Sequence, residues 1–485
     1  MTDPLPLHLQ IELGMVLAGA EVRASFDPAY EPPAQLDGPR HALTDAGNSL
    51  RFTEDHDGRL IYVKGPGWYV WDGQRWLADD DAAYRAAKET ARRIRYEAAA
   101  IQDDKANAVF QHAKNSESRG RIEAMVALAS KGEIASMGLV RPIDTLDQHA
   151  HLLNCANGTV DLRKGRVRPH DKDHYLTHLI DASYEPRNTA PLWERTLREV
   201  FCEDDDLVAW FQRAVGYSAA GEPNPEKCLF IAHGSGDNGK SLVLETITDV
   251  LGDLAHVAAA DTFVTTNQKH GNIQNDLASM RGARFVRVPE TGDGERLARQ
   301  VIKTITGGDT IKARFLYREY FAYLPRFKVW IATNHLPAVP HTDKAAWSRI
   351  KVIPFTREFA PSEQNRNLRA QLAKERDGIL TWIVRGAYEW YRRGLGEMPL
   401  AVAAATFDYR ASQDTVGRFI VEAVVDDPHS VLVKSETYRE YKEWCRAEGL
   451  QPIGRNTFFT AIRERGYLSK KDSFGIHVFP GLRLR

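Results

Sequence analysis

The stretch of residues 234–241 carries the side chains and the spacing that hold nucleotide phosphates. It reads G-S-G-D-N-G-K-S, and its members are Gly234, Ser235, Gly236, Asp237, Asn238, Gly239, Lys240 and Ser241. Glycines let the backbone approach phosphates, a lysine reaches the outer phosphates, and a serine hydroxyl can hold Mg2+. The apolar run 228–232 predicts a strand before this loop, and a helix is predicted from Leu242. Because such a loop aims backbone N–H groups at an anion, we expect ATP to bind here.

An NTP site that turns over also needs an acid for Mg2+ and water, and a polar group near the terminal phosphate. Glu290 closes the predicted strand 284–290, and Asn334 ends the predicted apolar strand 327–333. We therefore expect Glu290 to share Mg2+ with Ser241, and Asn334 to sense the γ-phosphate. The alternatives are a surface glutamate and an asparagine that only caps a turn.

An arginine that stabilises transition-state charge is the third requirement of such a site. Arg349 lies just ahead of the predicted strand 351–355 and is the candidate for this role. A lone arginine is more commonly a solvated charge, and that interpretation stays open.

A basic segment lies between the acid and the amide. Residues 303–314 read K-T-I-T-G-G-D-T-I-K-A-R, and Gly307-Gly308-Asp309 predicts a turn. A basic hairpin of this kind can grip a phosphate backbone, so its cations are candidate DNA contacts. They are Lys303, Lys312 and Arg314.

The composition is that of a several-domain globular protein. The chain has 485 residues, a net charge of -1, 27% charged and 43% hydrophobic residues. No run approaches the ~18 apolar residues of a membrane span, and the start lacks the features of a signal peptide, so we expect a cytoplasmic protein without membrane contact. The four scattered cysteines are predicted to be small buried hydrophobes.

The N-terminal half contains a loosely ordered lead-in and then a mixed pattern of strands and helices. Asp72-Gly73 predicts a hairpin turn, and a long helix is predicted over 82–114. The aromatic residues 68–71 are predicted to pack in the core, and stacking on nucleic-acid bases is the alternative. A second hairpin is predicted over 152–162, turning again at Lys164-Gly165. The triplet Asp55-His56-Asp57 has the spacing of metal carboxylates, but Gly58 follows at once, so a surface turn is predicted.

The C-terminal module has the pattern of a winged helix. Ser435 and Asn456 are predicted to cap two helices, and short strands are predicted at 467–468 and 474–479. Residues 429–485 hold 11 Lys or Arg and 6 Asp or Glu, a balance of +5. Such a charge suits DNA phosphates, and contacts with another protein are the alternative.

The motifs taken together resemble the superfamily 3 helicases of the phage, plasmid and poxvirus primase-helicase family. They are G-S-G-D-N-G-K-S, V-P-E, I-K-T-I-T-G-G-D-T-I-K-A-R-F-L-Y, F-K-V-W-I-A-T-N-H-L-P and W-S-R-I-K-V-I-P-F. The resemblance implies an α/β fold with an AAA+-type P-loop core. It also implies a homohexameric ring with ATP between subunits, a basic hairpin facing the pore, and Arg349 acting on the neighbour's nucleotide. Two departures are the single carboxylate, Glu290, in the acidic motif and Ser348 before a single arginine.

The predicted domains are the lead-in 1–45, an N-terminal α+β domain 46–190, the ATPase domain 191–400, and a linker with the winged-helix-like domain 401–485. The predicted function is an ATP-dependent DNA helicase that moves on single-stranded DNA as a ring, in the replication of a phage, plasmid or mobile element. The alternatives are a replication initiator or loader that does not unwind DNA, and an inactive scaffold. Predicted partners are single-stranded or forked DNA and a separate primase or polymerase, since no primase site is recognised.

Overall fold

The computed structural model describes residues 35–132, 138–265, 273–290, 292, 294–314, 320–340 and 343–485. Most of the predicted lead-in therefore lies outside the described residues. The described chain divides into two compact units, one of residues up to 148 with 170–178, and one of 149–169 with 179–485. The predicted domain limits remain predictions.

The first unit combines a four-stranded sheet with four helices. Its elements are α1 (Asp45–Asp55), β1 (Leu60–Val63), β2 (Gly67–Trp71), β3 (Trp76–Ala78), α2 (Asp80–Ala99), α3 (Lys105–Ser116), α4 (Arg119–Ala129) and β4 (Val140–Arg141). The strand order is β3-β2-β1-β4. Trp68 and Tyr69 are buried, which confirms the core prediction for these two aromatic residues, whereas Trp71 is only partly buried. The predicted hairpin turn is confirmed, with Asp72 Oδ1 accepting hydrogen bonds from the N–H groups of Gln74 and Arg75.

The helix predicted over 82–114 is two helices, α2 and α3. The carboxylate of Asp103 accepts a hydrogen bond of 2.8 Å from the N–H of Lys105, where α3 begins. Aspartate competes for backbone N–H groups in this way and favours a new helix start over a continuous helix. The apolar periodicity continues across the break, so it could not reveal the break.

The prediction of a surface turn at Asp55-His56-Asp57 was wrong for its first two members. The Asp55 carboxylate is buried and lies 3.0 Å from Nη1 of Arg40. The His56 side chain is also buried, with Nε2 3.0 Å from Ala86 O. These contacts are structural, and the described residues contain no group of three or more His, Cys, Asp or Glu that could hold a metal ion.

The second unit begins with a small antiparallel sheet and two helices. These elements are β5 (Leu152–Cys155), β6 (Gly158–Asp161), β7 (Arg166–Arg168), α5 (Pro191–Val200) and α6 (Asp205–Ala219). The strand order β5-β6-β7 and the turn before Arg166 confirm the second predicted hairpin. Leu153 and Val160 of this sheet share a core with Trp193 and Phe211 of the helices. Cysteines 155, 228 and 445 are buried as predicted, whereas Cys202, between α5 and α6, is exposed.

A five-stranded parallel sheet forms the centre of this unit. Its strands and their connections are β8 (Leu229–His233), α7 (Lys240–Leu251), β9 (Ala255–Val257), β10 (Val264–Thr265), α8 (Ile273–Ser279), β11 (Phe285–Val288), β12 (Arg296–Leu297), α9 (Arg299–Gly307), β13 (Ile311–Ala313), β14 (Phe321–Tyr323), β15 (Lys328–Thr333), α10 (Lys344–Trp347) and β16 (Ile350–Pro354). The order is β16-β8-β15-β11-β9. Phe230 and Ala232 lie in one core cluster, and Leu229 and Ile231 lie in another. Both faces are therefore covered, which explains why β8 reads as a continuous apolar run.

The remaining elements are α11 (Leu368–Ala373), α12 (Arg376–Arg393), α13 (Leu400–Ser412), α14 (Thr415–Ala423), β17 (Val424–Val433), α15 (Lys434–Ala447), α16 (Arg455–Glu464), β18 (Lys470–Lys471) and β19 (His477–Leu484). Helices α15 and α16 begin one residue before Ser435 and Asn456, and neither start has a side-chain cap, so both caps were predicted wrongly. The strands also lie later than predicted, in a sheet of order β17-β19-β18. The winged-helix assignment stays a prediction.

Candidate functional site

The loop 234–239 connects the C-terminal end of β8 to the first residue of α7. Gly236, Asp237 and Gly239 have positive φ angles of 124°, 45° and 77°. At Gly234 an added Cβ would lie 2.1 Å from Nδ2 of Asn238 and 2.3 Å from the carbonyl oxygen of Phe355. The glycines at 234, 236 and 239 are therefore required by the shape of the loop, because side chains would collide or strain the backbone.

Helix α7 starts at Lys240 and runs for 12 residues. The first N–H groups of a helix have no intrahelical partner, and the helix dipole favours an anion at this end. The geometry of strand, tight loop and helix start is thus suited to a phosphate, as the sequence predicted.

The ammonium group of Lys240 lies at the centre of the site. Its Nζ donates to the carbonyl oxygens of Gly234 and Thr333, both at 3.1 Å, and to Oδ1 of Asn334. Only 5% of the residue is exposed, and this burial lowers the pKa of the ammonium while the charge of Glu290 opposes the shift. A buried cation that is bound mainly by neutral acceptors would be stabilised by an anion.

Asn334 connects Lys240 to Glu290. It follows the last residue of β15, and its Nδ2 donates to Oε1 of Glu290. Strand β15 lies between β8 and β11, so the C-terminal ends of the three strands meet at one edge of the sheet. Glu290 lies two residues beyond the end of β11. Lys240, Asn334 and Glu290, which were predicted separately, form one hydrogen-bonded chain.

The buried donors of this loop fit the phosphate group of a nucleotide. Asn238 is almost fully buried, and its Nδ2 has no hydrogen-bond partner within the described part of the chain. A buried donor without an acceptor is costly, and a phosphate oxygen is the acceptor that this loop is shaped to bring. Ser241 follows Lys240 in the first turn of α7 and is exposed, as is Glu290.

Arg349 lies at the opposite edge of the same sheet. Its carbonyl oxygen accepts a hydrogen bond from the N–H of Leu229, where β8 begins, whereas the phosphate loop follows the end of β8. Its Nε donates to Thr306 Oγ1 at 2.9 Å, and its Nη1 donates to Ala345 O. Within one subunit, Arg349 therefore does not lie beside Lys240, Asn334 and Glu290.

The three candidate DNA contacts lie on different elements. Lys303 lies on α9 and forms an ion pair of 3.3 Å with Asp343, while Lys312 is an exposed residue of β13. The guanidinium of Arg314 lies 4.7 Å from the centre of the Tyr320 ring. Strands β13 and β14 pair as an antiparallel hairpin whose connecting residues 315–319 lie outside the described residues.

The turn predicted at Gly307-Gly308-Asp309 is the end of a helix. Gly307 is the last residue of α9, and Gly308 is its left-handed cap with a φ of 81°. Glycine favours this conformation at helix ends as well as in hairpin turns, so the dipeptide alone could not distinguish them. The β13–β14 hairpin begins only after this cap, at Ile311.

The phosphate loop makes a second set of contacts that no sequence pattern indicated. Ser235 Oγ donates to Oε1 of Glu358 at 2.7 Å, and the N–H of Phe359 donates to the Asp237 carbonyl oxygen at 2.9 Å. Both partners belong to the chain that leaves β16. They are more than a hundred residues away in sequence, and no local pattern marks them.

The second unit thus contains an α/β domain in which a glycine-rich loop joins β8 to α7 at the C-terminal edge of a parallel sheet. Residues 49–202 match the family described as D5 N terminal like, residues 232–349 match a family of unknown function, and residues 411–476 match the family described as poxvirus D5 protein-like. These matches confirm the resemblance to the superfamily 3 primase-helicase family.

Curated relatives come from large DNA viruses. A protein of Acanthamoeba polyphaga mimivirus named as a candidate helicase is 24% identical over 62% of this chain and 34% of its own length. A protein of Frog virus 3, also named as a candidate helicase, is 27% identical over 46% of this chain and 25% of its own. A protein of African swine fever virus named as a candidate primase is 22% identical over 62% of this chain and 34% of its own. The chain thus spans about a third or less of the length of these relatives.

Among solved structures, the C-terminal region of NrS-1 is similar at 10% identity, with a TM-score of 0.36, over 62% of this chain and 78% of that chain. Within the described residues, no helix has both the length and the apolar character needed to cross a bilayer.

Proposed function

We propose that this protein is an ATP-dependent DNA helicase that moves along single-stranded DNA as a ring of identical subunits. The observation that carries the proposal is the hydrogen-bonded chain from Lys240 through Asn334 to Glu290 beside the phosphate loop. A cation, an amide and a carboxylate at this place can bind a terminal phosphate, sense its loss and position water. The names of the viral relatives support a role in DNA replication.

The loop and the residues beside it have distinct tasks in the mechanism that we propose. Backbone N–H groups of the loop and the start of α7 bind phosphate oxygens, and Asn238 Nδ2 gains the acceptor that it lacks. Lys240 turns from its carbonyl acceptors to the outer phosphates. Ser241 and Glu290 would hold Mg2+, which neutralises charge on the phosphates. Glu290 then orients the attacking water, and Asn334 responds when the γ-phosphate is released.

The position of Arg349 supports hydrolysis at a junction between subunits. Strand β16 pairs along β8 from Leu229 to His233, so Arg349 is about 16 Å from the phosphate loop of its own chain, at ~3.3 Å per strand residue. That distance exceeds the reach of an arginine side chain. In the ring we propose, Arg349 leaves Thr306 and stabilises transition-state charge on the nucleotide of the neighbouring subunit.

The β13–β14 hairpin is the proposed DNA contact of the ring. Lys312 is exposed on it, and Arg314 stacks on Tyr320, which leaves both a cation and an aromatic face for a strand. Lys303 lies on α9, and its ion pair with Asp343 connects α9 to the start of α10 rather than to the hairpin.

Strand displacement on a forked duplex, measured together with ATP hydrolysis, tests the proposal. We expect the wild type to hydrolyse ATP and unwind, Lys240→Ala to do neither, and the exposed control Lys374→Ala to behave as wild type. Hydrolysis without unwinding by the wild type would favour the initiator or loader. Absence of hydrolysis would favour the scaffold.

A further inference from the structure

A hairpin outside the parallel sheet presents a dense positive charge that is only partly neutralised. Strands β6 and β7 are joined by a turn that contains Gly165, whose φ is 60°. The hydroxyl of Tyr184 donates to the carbonyl oxygen of Gly165 at 2.9 Å and fixes the turn to the core. Strand β7 is the edge of its sheet, and its three residues are all exposed. The hairpin is therefore a rigid and accessible element.

Four cations lie within six consecutive residues of this hairpin, and they are Arg163, Lys164, Arg166 and Arg168. The one carboxylate between 161 and 168 is that of Asp161, so the segment has a net charge of +3. Lys164 and Arg166 are exposed, and neither forms an ion pair with any described residue. The positive charge of these two residues is thus not neutralised by the described protein around them.

Asp161 forms ion pairs with two of these cations, Arg163 and Arg168. Its side chain is only 2% exposed, and its oxygens lie 3.4 Å from both Arg163 Nε and Arg168 Nη2. Burial raises the pKa of this carboxyl, but hydrogen bonds from Arg163 outweigh burial and lower it, so the group stays ionised. Guanidinium groups that are already oriented lose less conformational freedom when they bind an anion.

The spacing of these cations follows the strand. Asp161 lies opposite Arg166 in the antiparallel register, so Arg166 and Arg168 lie on one face of the hairpin, about 7 Å apart by the strand repeat. Lys164 extends the row into the turn. A row of cations along one edge matches a chain of repeated negative charges better than it matches one anion.

The surface is poor in the groups that stabilise a protein interface. Such interfaces depend on apolar or aromatic anchors in a desolvated centre. On this hairpin the exposed apolar side chain is that of Val167, which is 37% exposed. Phosphate contacts need no apolar anchor, since release of counterions supplies the free energy.

We propose that residues 163–168 bind the sugar-phosphate backbone of single-stranded DNA, as a second contact besides the β13–β14 hairpin. This inference rests on the proposed function in so far as DNA is the polymer that the protein handles. The contact is independent of base sequence, because arginine and lysine side chains on a phosphate backbone read no base edges.

The test is the affinity of the full chain for a dye-labelled oligothymidine, measured by fluorescence anisotropy over a range of salt concentrations without nucleotide. For the double variant Lys164→Ala/Arg166→Ala we expect a slope of log affinity against log salt that is shallower by about 1.4, since each phosphate contact on a single strand contributes about 0.7. Binding at low salt should fall about tenfold or more. The charge-conserving variant Lys164→Arg/Arg166→Lys should keep the wild-type slope.

The matched control removes two exposed arginines elsewhere in the same unit, with the variant Arg392→Ala/Arg393→Ala. Both control arginines form ion pairs with Glu389 at the end of α12, so their loss should leave the slope nearly unchanged. A wild-type slope in the Lys164→Ala/Arg166→Ala protein would overturn the inference. Equal binding of labelled polyglutamate, lost in the same variant, would also overturn it by indicating a site for an acidic protein.

Failure of this inference is distinct from failure of the proposed function. The anisotropy measurement uses no ATP, so a protein that does not hydrolyse ATP can still show the predicted change in slope. Conversely, a protein that unwinds DNA while the hairpin variant binds DNA as wild type does would retain the proposed function without this contact.

Discussion

The ammonium group of Lys240 lies 2.5 Å from Oδ1 of Asn334, and the amide nitrogen of the same asparagine donates to Glu290. The side-chain amide therefore links a cation and an anion across the ends of neighbouring strands. A phosphate that drew Lys240 away would break the first contact and free Asn334 to turn. We therefore expect occupancy of the loop to be coupled to the position of the carboxylate.

We expect Asn334→Ala and Glu290→Gln to reduce ATP turnover by about a hundredfold, because each removes a group that stabilises the transition state. Nucleotide binding should change little in either variant, since the loop and Lys240 remain. Turnover rates and affinity for a fluorescent ATP analogue check this. A large loss of affinity with normal turnover would contradict these roles.

Arg349→Ala should abolish turnover, by about a thousandfold, while it preserves ATP binding. When Arg349→Ala protein is mixed with wild type, activity should fall more steeply than the wild-type fraction, because each variant subunit also disables its neighbour. Ser348→Ala serves as the control, since that exposed side chain bonds only locally, to Ala345 O. A strictly proportional fall would show that each subunit works alone.

Gly234→Ala should weaken nucleotide binding at least about tenfold and destabilise the domain by about 1–3 kcal/mol, because the new Cβ would meet backbone and buried amide atoms. Gly120→Ala is the control, since its site on α4 is open. That change should be neutral or stabilising by up to about 1 kcal/mol. Thermal unfolding and ATP titration measure both effects, and equal behaviour of the two variants would refute the steric argument.

The stability of the nucleotide-free protein should depend on pH through Lys240. Burial lowers the pKa of this ammonium in the folded state, so between the folded and the unfolded pKa the unfolded chain binds more protons. Stability from this group therefore rises with pH over that interval. We expect Lys240→Met to be more stable than wild type at neutral pH and the difference to shrink toward pH ~10. Denaturant unfolding at several pH values tests this, and a constant difference would argue against the depressed pKa.

The sequence was sufficient for the features that depend on local pattern. The apolar run before Gly234 and the glycine-lysine pair at 239–240 predicted the strand, the loop and the start of α7. Asn334 and Glu290 were each predicted at the end of a strand. They lie at one edge of the sheet because their two strands are parallel neighbours.

Features that depend on contacts between distant segments could not be predicted in this way. Nothing near Ser235 indicates that Glu358 would accept its hydroxyl, and nothing near Asp55 indicates burial against Arg40. Exposure of Cys202 follows from its place between two helices rather than from its residue type. Gly308 shows a related problem, because its left-handed conformation occurs both at helix ends and in hairpin turns.

Strand β16 has Arg349 before its first residue and, after its last, the segment that contacts Ser235 and Asp237. Strand β16 is paired with β8 along its whole length, so we expect it to be stiff along its axis. It therefore links the two edges of the sheet directly. In the ring that we propose, a displacement of the loop by an incoming nucleotide would be passed along β16 to Arg349. In such a ring, the order in which neighbouring subunits hydrolyse ATP would then depend on this one strand within each subunit.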